Sequence, residues 1–148
     1  MEVFITVFTG VLVFVIQNLI LKLSIEPAKE LKMQIALTSS MILENMPQIS
    51  NASASEELSI GISKQSAQLL ARCELIMFYP FFARIYKLPS QGEILSVCLE
   101  LNVISGNMNP SYQLAHAQQL GMSGQDLASQ NFKRLRKIAP LLKIRTIY

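Results

Sequence analysis

The side chains of this chain that could do chemistry are few and scattered. There is one histidine, His116, and there are two cysteines, Cys73 and Cys98, far apart in the sequence. A metal site needs several His, Cys or carboxylate ligands that converge, and this set does not offer them. Both cysteines fall on apolar helical stripes, where a thiol is expected to be buried and inert. A Cys–His nucleophile pair would need His116 folded onto one of them, which spacing does not specify. Glu74 and Glu100 also lie beside apolar stripes. They are expected to pair with Arg72, Arg84 or the basic C-terminal region, or to face water, and nothing further points to acid–base work. Gly61 and Gly92 stand alone, so no glycine-rich loop can cradle a phosphate. The expectation is a chain without catalytic centre, metal or cofactor.

Charge offers one lead. Lys133, Arg134, Arg136 and Lys137 are followed by Lys143 and Arg145 with no acidic residue among them. Beside an anionic lipid surface each such cation gains about 1 kcal/mol, so the first four are candidate lipid contacts. Nucleic acid is disfavoured as a partner because the net charge is only +3. The plainest reading of these residues is a solvated helix face.

The elements that carry these residues fall into two kinds. Val3 to Ile25 reads VFITVFTGVLVFVIQNLILKLSI, apolar on every face. A helix of about 20 apolar residues crosses a hydrocarbon core of about 30 Å with its backbone bonds satisfied internally. Lys22 falls near the end of the run, where its ammonium can reach the headgroups. A cleaved signal peptide would carry basic residues before the run and small residues after it; Met1-Glu2 and Leu23-Ser24-Ile25-Glu26-Pro27 supply neither. Lys22, Lys29 and Lys32 follow the run and no Lys or Arg precedes it. The positive-inside rule then puts the N-terminus outside and the body in the cytoplasm. At about 100° per residue Thr6, Gly10, Val13, Gln17, Ile20 and Ser24 share one face. Thr6 and Gly10 form a small-xxx-small pair, and Gln17 could hydrogen-bond to another span, so Thr6, Gly10, Gln17 and Ser24 are a candidate pairing face for self-association or a partner.

Behind the span the apolar residues recur at three and four rather than two, which predicts helices and no strands. Glu26-Pro27 marks a joint, with a kinked continuation of the span as the alternative. A helix from Pro27 to about Met46 would bury Ala28, Leu31, Ile35, Ile42 and Met46 and leave Gln34 among the polar residues elsewhere. Residues 47–55 read as a loop ending in a Ser53/Glu56 capping box. A bent helix follows from Glu56 to Tyr86, kinked at Pro80. Its segment Phe78, Tyr79, Phe81 and Phe82 would be domain core or, alternatively, a membrane-interface or partner patch. Ser90/Glu93 and Ser123/Asp126 are expected to cap two further helices, to about Ile104 or Met108 and to about Ile138, with a short helix at 111–120 between them. The fold class is therefore all-α: a single transmembrane anchor over residues 1–26, then a helical cytoplasmic domain over 27–148 with about four helices.

The order of these features resembles a group of small bacterial proteins with an N-terminal membrane anchor and a helical cytoplasmic domain. The residues that carry the likeness are Leu21 to Pro27 running into Glu30-Leu31-Lys32, then Leu69-Leu70-Ala71-Arg72, Pro80 with its aromatics, Leu88-Pro89-Ser90, and the helix from Glu93 to Asn107. The resemblance implies a bacterial inner-membrane protein and brings no catalytic residue with it. The Phe78–Phe82 run and the sparse charge depart from it. The functional expectation is a membrane-anchored interaction or scaffold protein whose partners are the lipid bilayer and a protein, with an oligomerising, bilayer-perturbing effector as the alternative.

Overall fold

The computed structural model describes residues 1–121 and 123–142 and, among them, only helices and turns. They are α1 (Glu2–Ile20), a π-helical turn (Leu21–Ile25), α2 (Glu26–Glu44), α3 (Met46–Ser50), α4 (Glu56–Glu74), α5 (Tyr79–Tyr86), α6 (Gln91–Met108), α7 (Pro110–Leu120) and α8 (Gly124–Leu141). Lys143 and Arg145 lie outside the described residues, as does the side chain of His116.

α1, the π turn and α2 form one unbroken rod, Glu2–Glu44. At about 1.5 Å per residue it is about 65 Å long, twice the thickness of a hydrocarbon core. Pro27 sits inside it, with no N–H for the carbonyl of Leu23 and a ring that would strike that carbonyl in a regular α-helix. Two local adjustments absorb the proline. The backbone N–H of Glu26 reaches back to the Leu21 carbonyl, five residues away, which widens the turn. The freed Leu23 carbonyl accepts the N–H of Met77 at 3.1 Å. The Ser24 hydroxyl adds a bond to the Met77 carbonyl at 3.2 Å. Pro27 therefore marks no break between two helices. It supplies the acceptor that ties the turn before α5 to the rod.

The core is built on α4 and α6, which lie antiparallel. Ser59 and Ser105 exchange hydroxyl-to-carbonyl bonds, each at 2.8 Å. One heptad along, Ser66 Oγ donates to the Cys98 carbonyl at 3.1 Å and Cys98 Sγ to the Ser66 carbonyl at 3.3 Å. A hydroxyl reaches the partner helix's carbonyl only when the two backbones come close, and small residues at a heptad spacing permit that. Ile62, Leu101 and Ile104, which fall between these contacts in the sequence, are buried, as are Leu69 and Ile94 just beyond them. α2 packs on α4 and α8 on α6, and Ala28, Leu31 and Ile42 of α2 and Leu135 and Ile138 of α8 are buried in the common core.

Several boundaries differ from the sequence reading. The bent helix expected over Glu56–Tyr86 is two helices, because Pro80 occupies the first turn of α5, where its missing N–H costs nothing. Ser55, not Ser53, caps α4, accepting from Leu58 N at 3.3 Å. Part of the expected 47–55 loop is helical, with Pro47 in the first turn of α3. Gln34 is buried rather than on a polar face. Its amide donates to Gln65 and Gln68, and the Thr38 hydroxyl donates to Gln65 at 3.2 Å, so a polar layer with satisfied amides lies between α2 and α4. The Ser90/Glu93 and Ser123/Asp126 capping boxes both form, and α7 forms where the short helix was expected.

Candidate functional site

The first candidate site is the joint between the rod and α5. The proline-aromatic run divides by helical position. Tyr79 and Phe82 are 3% and 8% exposed and belong to the core, whereas Phe78 and Phe81 are 72% and 63% exposed. The run is thus neither all core nor all surface. Tyr79 is fixed by its hydroxyl, which donates to the Pro89 carbonyl at 2.6 Å, and burial pushes its phenol well above the usual range. Phe78 precedes α5 with φ 56°, in the left-handed region. That conformation costs a bulky residue about 1–3 kcal/mol. Met77, just before it, is held on the rod by its two backbone bonds.

Between the end of α1, the π turn and α5 lies a cavity of about 700 Å³, walled by Leu19, Ile20, Leu23, Met77, Phe78 and Phe81 among others. Ser24 is the one polar side chain on this wall, and its hydroxyl is already engaged by the Met77 carbonyl. The site therefore presents carbon and no unsatisfied polar group. It can hold apolar matter by exclusion from water.

Upstream of that joint, α1 buries no residue. On the face singled out by spacing, the Thr6 hydroxyl donates to the Glu2 carbonyl at 3.0 Å, and a Cβ on Gly10 would meet nothing. The amide of Gln17 makes no hydrogen bond to the described residues, whereas neighbouring Asn18 donates to the Phe14 carbonyl at 3.2 Å. Ser24, the fourth residue of that face, is 2% exposed and turned into the body, so it is placed apart from Thr6, Gly10 and Gln17.

The second candidate site is the basic face of α8. Arg134 and Lys137, one turn apart, both donate to the carboxylate of Glu100 on α6. The bond from Lys137, reinforced by Arg134, holds the Glu100 carboxyl below its usual range despite burial. The Nε of Arg134 is buried without a partner. Lys133 and Arg136 are exposed and make no ion pair among the described residues. Of the four cations proposed for lipid, two are thus tied to an acid on α6 and two are open. Of the other two partners considered for Glu100, Arg72 and Arg84, Arg72 is instead bonded to Glu30 at 3.3 Å.

Both thiols are buried. Burial pushes Cys73 up against a lowering bond with Tyr79, and burial likewise raises Cys98 against its bond with Ser66, so neither is an activated nucleophile. Among the described residues no three of His, Cys, Asp or Glu group as metal ligands would.

Sequence reasoning missed the groove itself. Leu19, Ile20 and Leu23 look like any other part of an apolar run, and only the bond of Met77 to Leu23 brings the aromatics beside them. The available signal was Pro27, whose orphaned acceptor four residues upstream had to be satisfied from elsewhere. Compared with known proteins, the chain matches no family model, no curated protein and no solved structure.

Proposed function

We propose that this chain is a membrane-anchored, non-enzymatic interaction or scaffold protein of a bacterial inner membrane, with α1 spanning the bilayer, its N-terminus outside and the body in the cytoplasm. The observation that carries the reading is the contrast within one rod. α1 carries no charged residue after Glu2 and none of its residues is buried, and α2, continuous with it, is packed on α4. A run of this size left in water would expose a contiguous apolar surface far beyond what monomeric soluble proteins carry, and hydrocarbon removes that cost. The position of Lys22, Lys29 and Lys32 on the body side of α1 supports the orientation. Because the π turn and the Met77 bonds brace the body against the end of α1, the anchor holds the bundle in a fixed pose rather than on a tether.

Affinity purification of the full chain from native membranes in mild detergent tests the function. A defined protein that co-purifies in constant ratio, and is lost when surface residues of the body are changed, is expected. A chain recovered alone and monomeric under all mild detergents would overturn the scaffold reading.

One observation favours a second reading, a bilayer-perturbing oligomer assembled through α1. The Gln17 amide has no partner among the described residues, and in hydrocarbon an unpaired amide costs several kcal/mol. Pairing of spans through Thr6, Gly10 and Gln17 would satisfy it. Overexpression should then depolarise cells and Gln17→Leu should relieve the effect; an unchanged membrane potential sinks this reading.

A further inference from the structure

We infer that the groove between α1 and α5 is a lipid site, filled by the acyl chain of a bilayer phospholipid, with Phe78 and Phe81 seated in the membrane interface. This rests on the proposal that α1 crosses a bilayer.

Three observations carry the inference. The groove is continuous with the span, because Leu19, Ile20 and Leu23 belong to the last apolar turns of the rod and also form one wall of the cavity. Whatever hydrocarbon covers α1 up to Lys22 therefore meets Phe78 and Phe81 at the same depth. The wall is also chemically uniform. Its one hydroxyl, Ser24 Oγ, is spent on Met77, so an occupant must be apolar and need offer no hydrogen bond. At about 700 Å³ the cavity lies within the range of small-molecule sites, about 300–1,000 Å³.

The third observation is the backbone of Phe78. A left-handed phenylalanine is strained, and Phe78 recovers little by packing because most of its surface is exposed. Its conformation starts α5 so that Phe78, Phe81 and Ile85 all present exposed rings or branches, while Arg84 and Lys87 are exposed at the polar end of the helix. Aromatic residues on one side and cations at the margin are the pattern of a helix lying in the headgroup–acyl boundary.

The chain contains no tryptophan, so single-Trp variants report one place each. Full-length Phe8→Trp, Phe81→Trp and Leu99→Trp variants are reconstituted in phosphatidylcholine vesicles with brominated acyl chains, and quenching is compared with that by aqueous acrylamide. All three positions are exposed on the protein, which keeps the substitutions mild. The Phe81→Trp variant is expected to lose a fraction of its emission to bromolipid comparable with the Phe8→Trp variant and to be poorly quenched by acrylamide, while the Leu99→Trp variant shows the reverse. Quenching of Phe8→Trp but not Phe81→Trp by bromolipid leaves the span in place and overturns the groove proposal. If acrylamide then reaches Phe81→Trp, the groove faces water; if neither quencher does, a second copy of the chain covers it. Loss of bromolipid quenching at Phe8→Trp overturns the spanning proposal itself.

Discussion

Replacing Asn131 by aspartate should destabilise the body strongly at neutral pH and much less in acid. Asn131 is fully buried on α8. Its Oδ1 accepts from the Asn107 amide at 2.8 Å, and its Nδ2 donates to the carbonyl of Ile49 at 2.9 Å. It thereby joins α8 to α6 and α3 in one contact. Aspartate has the same shape and keeps the bond from Asn107, but its second oxygen meets the Ile49 oxygen with no proton between them. A buried acceptor left unsatisfied costs about 1–3 kcal/mol, and an uncompensated buried charge adds several kcal/mol to that before relaxation. We expect a loss of about 3 kcal/mol or more at pH 7, a factor of at least about 100 in the folded-to-unfolded ratio. Protonation restores an O–H that can donate to Ile49, so the folded-state pKa of the new carboxyl rises above its unfolded value of about 3.9. Between these two values the folded state binds more protons than the unfolded one, so stability relative to the parent falls as pH rises through that window. Urea unfolding in detergent micelles, followed by far-ultraviolet circular dichroism at several pH values, measures it. α1 contributes a baseline because detergent covers it. An Asn131→Asp variant as stable as the parent at pH 7, or a deficit that does not shrink in acid, would refute the assigned bonds.

Three further outcomes follow from other parts of the fold. Ser66→Val forces branched carbon between α4 and α6 and removes the bond to the Cys98 carbonyl; a loss of about 1–3 kcal/mol is expected from overpacking, against about 1 kcal/mol for Ser66→Ala, by the same urea titration. Glu100→Gln should cost about 1–3 kcal/mol at neutral pH, the range for hydrogen bonds to charged groups, with the lower half favoured because Lys137 is 61% exposed. The Glu100 carboxyl is held below its ordinary value, so its contribution is present above the unfolded pKa and lost as pH falls through the folded one; the variant should show a flatter acid limb in a pH–stability profile. Phe78→Gly should be more stable in detergent than Phe78→Ala by about 0.5–1 kcal/mol, because both variants give up the ring and only glycine relieves the left-handed strain, part of which returns as unfolded-state entropy.

The sequence by itself determined the helical class and the placing of the apolar rod. A period of three to four and an uninterrupted apolar run are local facts, and they depend on no distant residue. The two capping boxes were legible for the same reason: Ser90 with Glu93, and Ser123 with Asp126, close within a single turn. What the sequence could not decide was where long-range partners stand. Gln34 reads as a surface residue until Gln65 and Gln68 arrive from α4 to satisfy it. Pro80 reads as a kink inside one long helix, and the left-handed backbone at Phe78 makes it the first turn of a separate one. Glu100 reads as a partner for Arg72, Arg84 or the basic C-terminal region, and only the packing of α8 on α6 selects Arg134 and Lys137. The groove depends on tertiary structure most of all. Its two walls lie more than fifty residues apart and are joined by a bond of 3.1 Å from Met77 to a carbonyl that Pro27 had left without a donor. Periodicity reports which face of a helix is apolar, but only packing decides which of those faces are spent on the core and which are left exposed.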